Sequence, residues 1–245
     1  MSSKGIGGWF KKILGEAKTA EGDVKEFLKN ATTAWTVHWS EVEPLVQTGD
    51  ILLMHGKFPS SKLIEVIERS IWSHSAMVVR SKDIGLSGPG IPELVLWESN
   101  DLTNLPDLIL NKTKTGPMIV DLNKRLQTNL KDGSDVLFSL VQVHFERTPE
   151  MMQGLKDLIP KVHNAVFPSM EEMGYEMATG RYYHKSTSLD KIYCAELVGA
   201  SLDAMGLLTK NYPWNGYEPR DFSAHGSLPL LGRATFQPEI HFDLK

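Results

Sequence analysis

The chain has 245 residues, 41% of them hydrophobic and 23% charged, which suits one large globular domain or one domain with appendages. With 26 basic against 30 acidic side chains and a net charge of −4, no basic excess speaks for a nucleic-acid partner, and no nucleic-acid motif occurs. The single cysteine, Cys194, excludes an internal disulfide framework and a multi-cysteine zinc site, and no apolar run reaches the ~20 residues of a membrane span.

At the N-terminus, Ile6, Trp9, Phe10, Ile13 and Leu14 recur at helical spacing, with Lys4, Lys11 and Lys12 off the stripe. Residues 1–16 therefore read as a short basic amphipathic helix. Such faces usually pack on the main domain, which is the expectation here; peripheral membrane contact is the alternative. No apolar signal region with a small-residue cleavage site is seen, so a cytoplasmic location is expected, peripheral at a membrane surface if this helix binds one. A second helix is expected over 23–34, with Val24, Phe27, Leu28 and Ala31 on one face. Residues 1–44 read together as a helical extension.

Thr48-Gly49-Asp50 reads as a turn and Ile51–Met54 as a buried strand. Pro59-Ser60-Ser61 opens a helix over 62–70. Strands are expected at Ser75–Val79, Glu93–Glu98, Met118–Leu122 and Val136–Val143, the first two joined by a loop over 81–92 rich in Gly and Pro. Thr148-Pro149-Glu150 starts a helix running through Leu155, Leu158 and Val162, with a kink or break expected at Pro160. Residues 168–190 read as irregular. The order predicts an α+β fold in which an antiparallel sheet packs against helices. The main domain spans 45–225, with residues 226–245 as a tail packed on it.

Cys194, Leu197, Val198, Ser201, Leu202 and Met205 recur as one helical face, with Gly206 as the C-terminal stop. Cys194 thus lies in the first turn of a buried helix, where the helix dipole and free N–H groups favour a thiolate. A lone cysteine is more commonly a small buried hydrophobe, so the nucleophile reading depends on finding a base. Among eight histidines, His74 opens one strand, and Glu98 closes the next. If these strands form an antiparallel hairpin, the two side chains are cross-strand or diagonal neighbours. The carboxylate can then fix the imidazole tautomer and support an imidazolium beside a thiolate. The alternative is a strand-end histidine bonded to backbone and a solvated glutamate.

Gly49-Asp50-Ile51, Ser73-His74, Glu98 and Tyr193-Cys194-Ala195-Glu196-Leu197-Val198 occur in that order. In this the chain resembles the permuted papain-like cysteine hydrolases related to the NlpC family, in particular the YiiX-like amidases. Pro219-Arg220-Asp221-Phe222 also resembles that family's Pro-x-Asp-Leu segment. The likeness covers about 45–225 and implies a permuted papain-like catalytic domain there. Lecithin:retinol acyltransferase-like proteins share the permuted order but typically carry a second His in third place and an Asn-Cys pair. Glu98 and Tyr193-Cys194 look more like the hydrolase branch. The resemblance implies Cys194 as nucleophile, His74 as general base and then acid, and Glu98 as the residue orienting His74. The Cys194 N–H is the oxyanion donor it points to. Tyr193, Trp72, Ser73 and His55 are candidates for lining the site, although Tyr193 reads equally as core and His55 as surface. Asp50 reads as a turn residue. Trp72, Trp97, Tyr182 and Tyr183 belong to a groove or to the core. The implied substrate is a peptide, an amide or a lipid-like molecule, attacked at an amide or ester carbonyl without a cofactor or metal. Acyl transfer to lipid and a catalytically silent binding protein with the same fold are the alternatives.

Overall fold

Successive strand residues point to opposite faces of a sheet, so a strand that is apolar throughout must be covered on both sides. The computed structural model describes residues 37–56, 71–132, 135–224, 226 and 228–244, and its central strands obey that rule. Strands β1 (Val37–His38), β2 (Ile51–Gly56), β3 (His74–Arg80), β4 (Leu94–Asn100), β5 (Gly116–Asp121), β6 (Asp135–His144) and β7 (Thr235–Asp243) form one sheet in the order β1-β7-β6-β2-β3-β4-β5. All neighbours are antiparallel except the short β1–β7 pair. On one face Ile51, Leu53, Met77, Val79, Val95 and Trp97 meet α3 (Pro149–Val162), α4 (Met170–Tyr183) and α5 (Cys194–Ala204). On the other, Leu52, Met54, Ala76, Val78 and Leu96 meet α2 (Leu122–Asp132) and Trp39 of α1 (Trp39–Val42). The fold is α+β, in three layers.

Several elements differ from the sequence reading. Residues 235–243, read as part of a packed tail, are a strand hydrogen-bonded to β6. Pro238 obscures it, since proline is tolerated in a sheet only at edges or irregularities; here the β6–β7 register shifts between Val141 and Val143. Residues 37–38, read with the helical extension, pair with β7 in the same sheet. Helix α3 runs through Pro160 to Val162 without a break, because the one lost N–H bond falls in the last turn. The segment read as irregular contains α4, started by a Ser169/Glu172 capping box. Its buried stripe includes Glu176 and Gly180, which hides it from an apolar-periodicity search. Gly180 is required by close packing: a Cβ there would stand 2.5 Å from the Gly216 nitrogen. The helices expected within 1–16, 23–34 and 62–70 lie outside the described residues. Among the described residues no helix is long and apolar enough to cross a membrane.

Candidate active site

Helix α5 begins at Cys194, after Tyr193 in an extended conformation (φ −94°, ψ 176°) and with no side chain of its own capping the first turn. Its end is a Schellman turn: Leu207 N–H bonds Leu202 O at 2.9 Å, Gly206 N–H bonds Asp203 O at 2.9 Å, and Gly206 has φ +70°. The helix is fixed to β4 by side chains. Trp97 Nε1 donates to Ser201 Oγ at 3.0 Å, and Ser99 Oγ donates to Ile192 O just upstream of the helix. These contacts hold the N-terminus of α5, and so the thiol, in register with the sheet.

Strands β3 and β4 pair with Met77 opposite Trp97 and Val78 opposite Leu96. Continuing that register sets Ala76 opposite Glu98 and His74 opposite Asn100, so His74 and Glu98 are diagonal neighbours on one face. Their side chains meet, His74 Nε2 to Glu98 Oε2, at 3.1 Å. Cys194, from the helix layer on the opposite face, meets the imidazole at the open beginning of β3. Because Nε2 is turned to Glu98, Nδ1 is the nitrogen left for the thiol.

Glu98 is fully buried, and both its oxygens are supplied with donors. Arg125 Nε and Nη2 reach Oε1 at 2.7 and 2.6 Å, while Asn100 Nδ2 donates to Oε2 at 3.2 Å beside His74. Arg125, on α2, is itself fully buried, and its Nη1 donates to Asn104 Oδ1. Neither Arg125 nor Asn100 was expected from the sequence. The signal for Arg125 is an arginine among Leu122, Leu126 and Asn129 on the buried face of α2.

The electrostatics follow from these contacts. Burial raises the Glu98 carboxyl, but Arg125, His74 and Asn100 outweigh it and hold the group at about 2. Burial opposes charge on His74, but hydrogen bonding to Cys194 and to Glu98 prevails and lifts the imidazole to about 10. Burial likewise opposes a thiolate, yet His74 and the backbone N–H groups of Ser75 and Ala195 bring Cys194 below its ordinary value. These shifts all act toward a thiolate–imidazolium pair with an ionised glutamate behind it. A thiolate is the nucleophilic form of cysteine, and an imidazolium is a proton donor to a leaving group.

The residues expected to line the site hold varied positions. Ser73 Oγ links Gly56 N–H (2.9 Å) and Met54 O (3.3 Å), stitching β2 to the start of β3. His55 is a correction: it is buried rather than at the surface, with its ring nitrogen 2.7 Å from Ile71 O. Trp72 is buried and stacks on His241, and Tyr193 is buried with its hydroxyl 2.8 Å from Asn215 O. Trp97 is core, whereas Tyr182 and Tyr183 are exposed. Asp50 holds a turn, accepting from Gln47 N–H at 2.8 Å, and also pins β6 through Val143 N–H at 2.9 Å. Asp221, in the 219–222 segment, pairs with Arg181 at 2.8 Å. Among the described residues no group of three or more His, Cys, Asp or Glu is placed to hold a metal ion.

No protein-family model and no curated protein matches the chain. Among solved structures it is similar to the metalloprotein yiiX from Escherichia coli O157:H7, at 17% identity and a TM-score of 0.45, over 78% of this chain and 96% of that one.

Proposed function

We propose that the protein is a permuted papain-like cysteine hydrolase that cleaves an amide or ester. The observation that carries the reading is the line Cys194–His74–Glu98, buried at both ends and half-buried at His74, in which the thiol stands at a helix start and the imidazole is held from behind by a saturated carboxylate. Two consecutive strands, β3 and β4, supply His74 and Glu98, and helix α5, about a hundred residues further along the chain, supplies Cys194.

In the proposed reaction the Cys194 thiolate attacks the carbonyl carbon, forming the S–C bond and moving the C=O pair onto oxygen. The oxyanion is met by N–H groups of the first turn of α5, the Cys194 N–H foremost. As the tetrahedral intermediate collapses, the C–N or C–O bond breaks and His74 gives its Nδ1 proton to the leaving amine or alkoxide. His74, now neutral and held in one tautomer by Glu98, then takes a proton from water as that water attacks the thioester. The acid leaves, and the thiolate–imidazolium pair is restored.

p-Nitrophenyl acetate tests this without knowledge of the natural substrate. The wild-type chain is expected to release a burst of one equivalent of p-nitrophenolate and to carry the acetyl group on Cys194 by mass spectrometry. Cys194→Ala abolishes the burst, and His74→Ala slows both the burst and iodoacetamide labelling at pH 6. A folded protein whose thiol is modified only after denaturation contradicts the proposal.

A further inference from the structure

Helix α5 carries a second buried ionisable group on the same first turn. Glu196 stands two residues after Cys194, about 200° further around the helix axis, and is only 1% exposed. Its carboxyl accepts from the Tyr193 N–H, yet its Oε2 has no hydrogen-bond partner. Glu176 on α4 lies close enough to influence it and also has a buried Oε2 without a partner. Thr187 Oγ1 is a third such atom. Glu196 and Thr187 line one open cleft of about 570 Å³, walled by Trp214 and Tyr212, within the ordinary size range of small-molecule sites.

Three nearby cations have other carboxylate partners. Lys191 is paired with Glu172, Arg181 with Asp221 and Glu218, and Lys210 with Asp203 at 3.7 Å. Asp203 also accepts from Trp214 Nε1 at 3.0 Å. Buried carboxyl oxygens without donors are costly; Glu196 lines the cleft with Glu176 behind it, and the lysine of the cleft wall, Lys210, lies near Asp203 instead. A ligand that brings N–H donors and a positive charge satisfies both deficits.

We propose that this cleft binds the ammonium group of an alkylamine, with Glu196 Oε2 and Thr187 Oγ1 as acceptors and Glu176 as the neighbouring carboxyl behind Glu196. The site is independent of the thiol chemistry. The groups facing Glu196 and Glu176 are Glu172 and Lys191 from their own side and Asp203, Lys210 and His184 around the cleft. Burial, followed by the neighbouring Glu172, holds Glu176 up at about 7, and burial followed by Glu176 holds Glu196 well above the usual carboxylate range. An arriving ammonium ion therefore ionises a carboxyl, and binding releases a proton.

Calorimetric titration of the full chain near neutral pH, in two buffers of different ionisation enthalpy, tests the proposal. n-Butylammonium is expected to bind with net proton release, and n-butanol, equal in size but uncharged, at least about tenfold more weakly. Glu196→Gln is expected to weaken n-butylammonium by a similar factor and Thr187→Val by less. Nα-acetyl-lysine amide distinguishes the source: affinity equal to that of n-butylammonium admits a protein lysine, and its exclusion restricts the ligand to a small free amine, the cleft being an amine site in both cases. Equal binding of amine and alcohol, no amine binding at all, or unchanged amine affinity in Glu196→Gln overturns the proposal. If Glu196→Gln does not fold, the amine–alcohol contrast and the proton release in the wild type decide alone.

Discussion

Glu98 and Glu196 are both buried glutamates, 0% and 1% exposed, on opposite sides of the same helix-on-sheet contact. Burial acts on both in the same direction, raising the carboxyl. Their outcomes are opposite because their partners differ. Glu98 has Arg125, His74 and Asn100 and is held at about 2, whereas Glu196 has one backbone N–H and another glutamate and is pushed up. Burial alone therefore says little about what a carboxyl is for. A saturated one is a rigid counter-charge that can orient an imidazole, and an unsatisfied one is a place where something else can bind.

The sharpest way to break this contrast is to make Glu98 resemble Glu196 by removing its cation. Arg125→Met keeps the length of the side chain and leaves the Glu98 carboxylate buried without its strongest partner. Breaking a buried pair from one side costs about 3–5 kcal/mol, roughly 6–20 °C in melting temperature for a chain of this size. The Glu98 carboxyl is expected to rise, His74 to lose its counter-charge, and iodoacetamide labelling of Cys194 at pH 6 to slow. Arg125→Lys, which retains charge but loses the paired donors to Oε1, is expected to fall between. A variant with wild-type melting and labelling would show that Arg125 does not support the site.

The pH dependence of stability next separates Glu98 from Glu176, the neighbour of Glu196. Glu98 has its folded value depressed from 4.5 to about 2, so its contribution is present above pH 4.5 and is lost as pH falls from there toward 2. The shift corresponds to about 3 kcal/mol. His74 is raised from 6.5 to about 10, so its contribution is full below pH 6.5 and is lost as pH rises through 10. Their joint contribution is greatest between about pH 4.5 and 6.5. Denaturant unfolding of the wild type and Glu98→Gln across pH 2–6 should show a steeper acid loss in the wild type; parallel curves would contradict the assignment.

Glu176 is expected to give the opposite slope. Raised from 4.5 to about 7, it contributes fully below pH 4.5 and loses that contribution as pH climbs to 7. Gln has no proton to lose, so Glu176→Gln should gain stability relative to wild type over that interval and change little below it. A pH-independent difference would mean that Glu176 stays ionised throughout.

What the sequence disclosed and what it withheld divide along the same line. The helix bearing Cys194 was legible because its buried face is apolar and periodic, and the His74–Glu98 pair because both lie at the ends of adjacent strands that a hairpin must juxtapose. Arg125 and Glu176 were not, because each occupies a buried helix position with a charged residue, where a search for apolar stripes sees an interruption. The whole of α4 was lost in that way, and β7 was lost to Pro238 and to a partner nearly a hundred residues upstream. Local patterns thus locate Cys194, His74 and Glu98, whereas the groups that set their charge states arrive through long-range packing.

The mildest expected effect concerns Asn100, the last donor to Glu98. Its Nδ2 reaches Oε2 at 3.2 Å, while its Oδ1 accepts from Leu102 N–H at 3.1 Å and shapes the end of β4. Asn100→Ala removes one neutral donor from a carboxylate that keeps Arg125 and His74, so the charge state of Glu98 should survive. The stability cost should be about 1–2 kcal/mol for the lost hydrogen bonds, with labelling of Cys194 at pH 6 within about twofold of wild type, since less than ~0.5 kcal/mol should reach the thiol. A loss of labelling as large as that of Arg125→Met would mean that Asn100, rather than the ion pair, fixes the orientation of His74. The distinction between charge and neutral hydrogen bonding at Glu98 would then have to be redrawn.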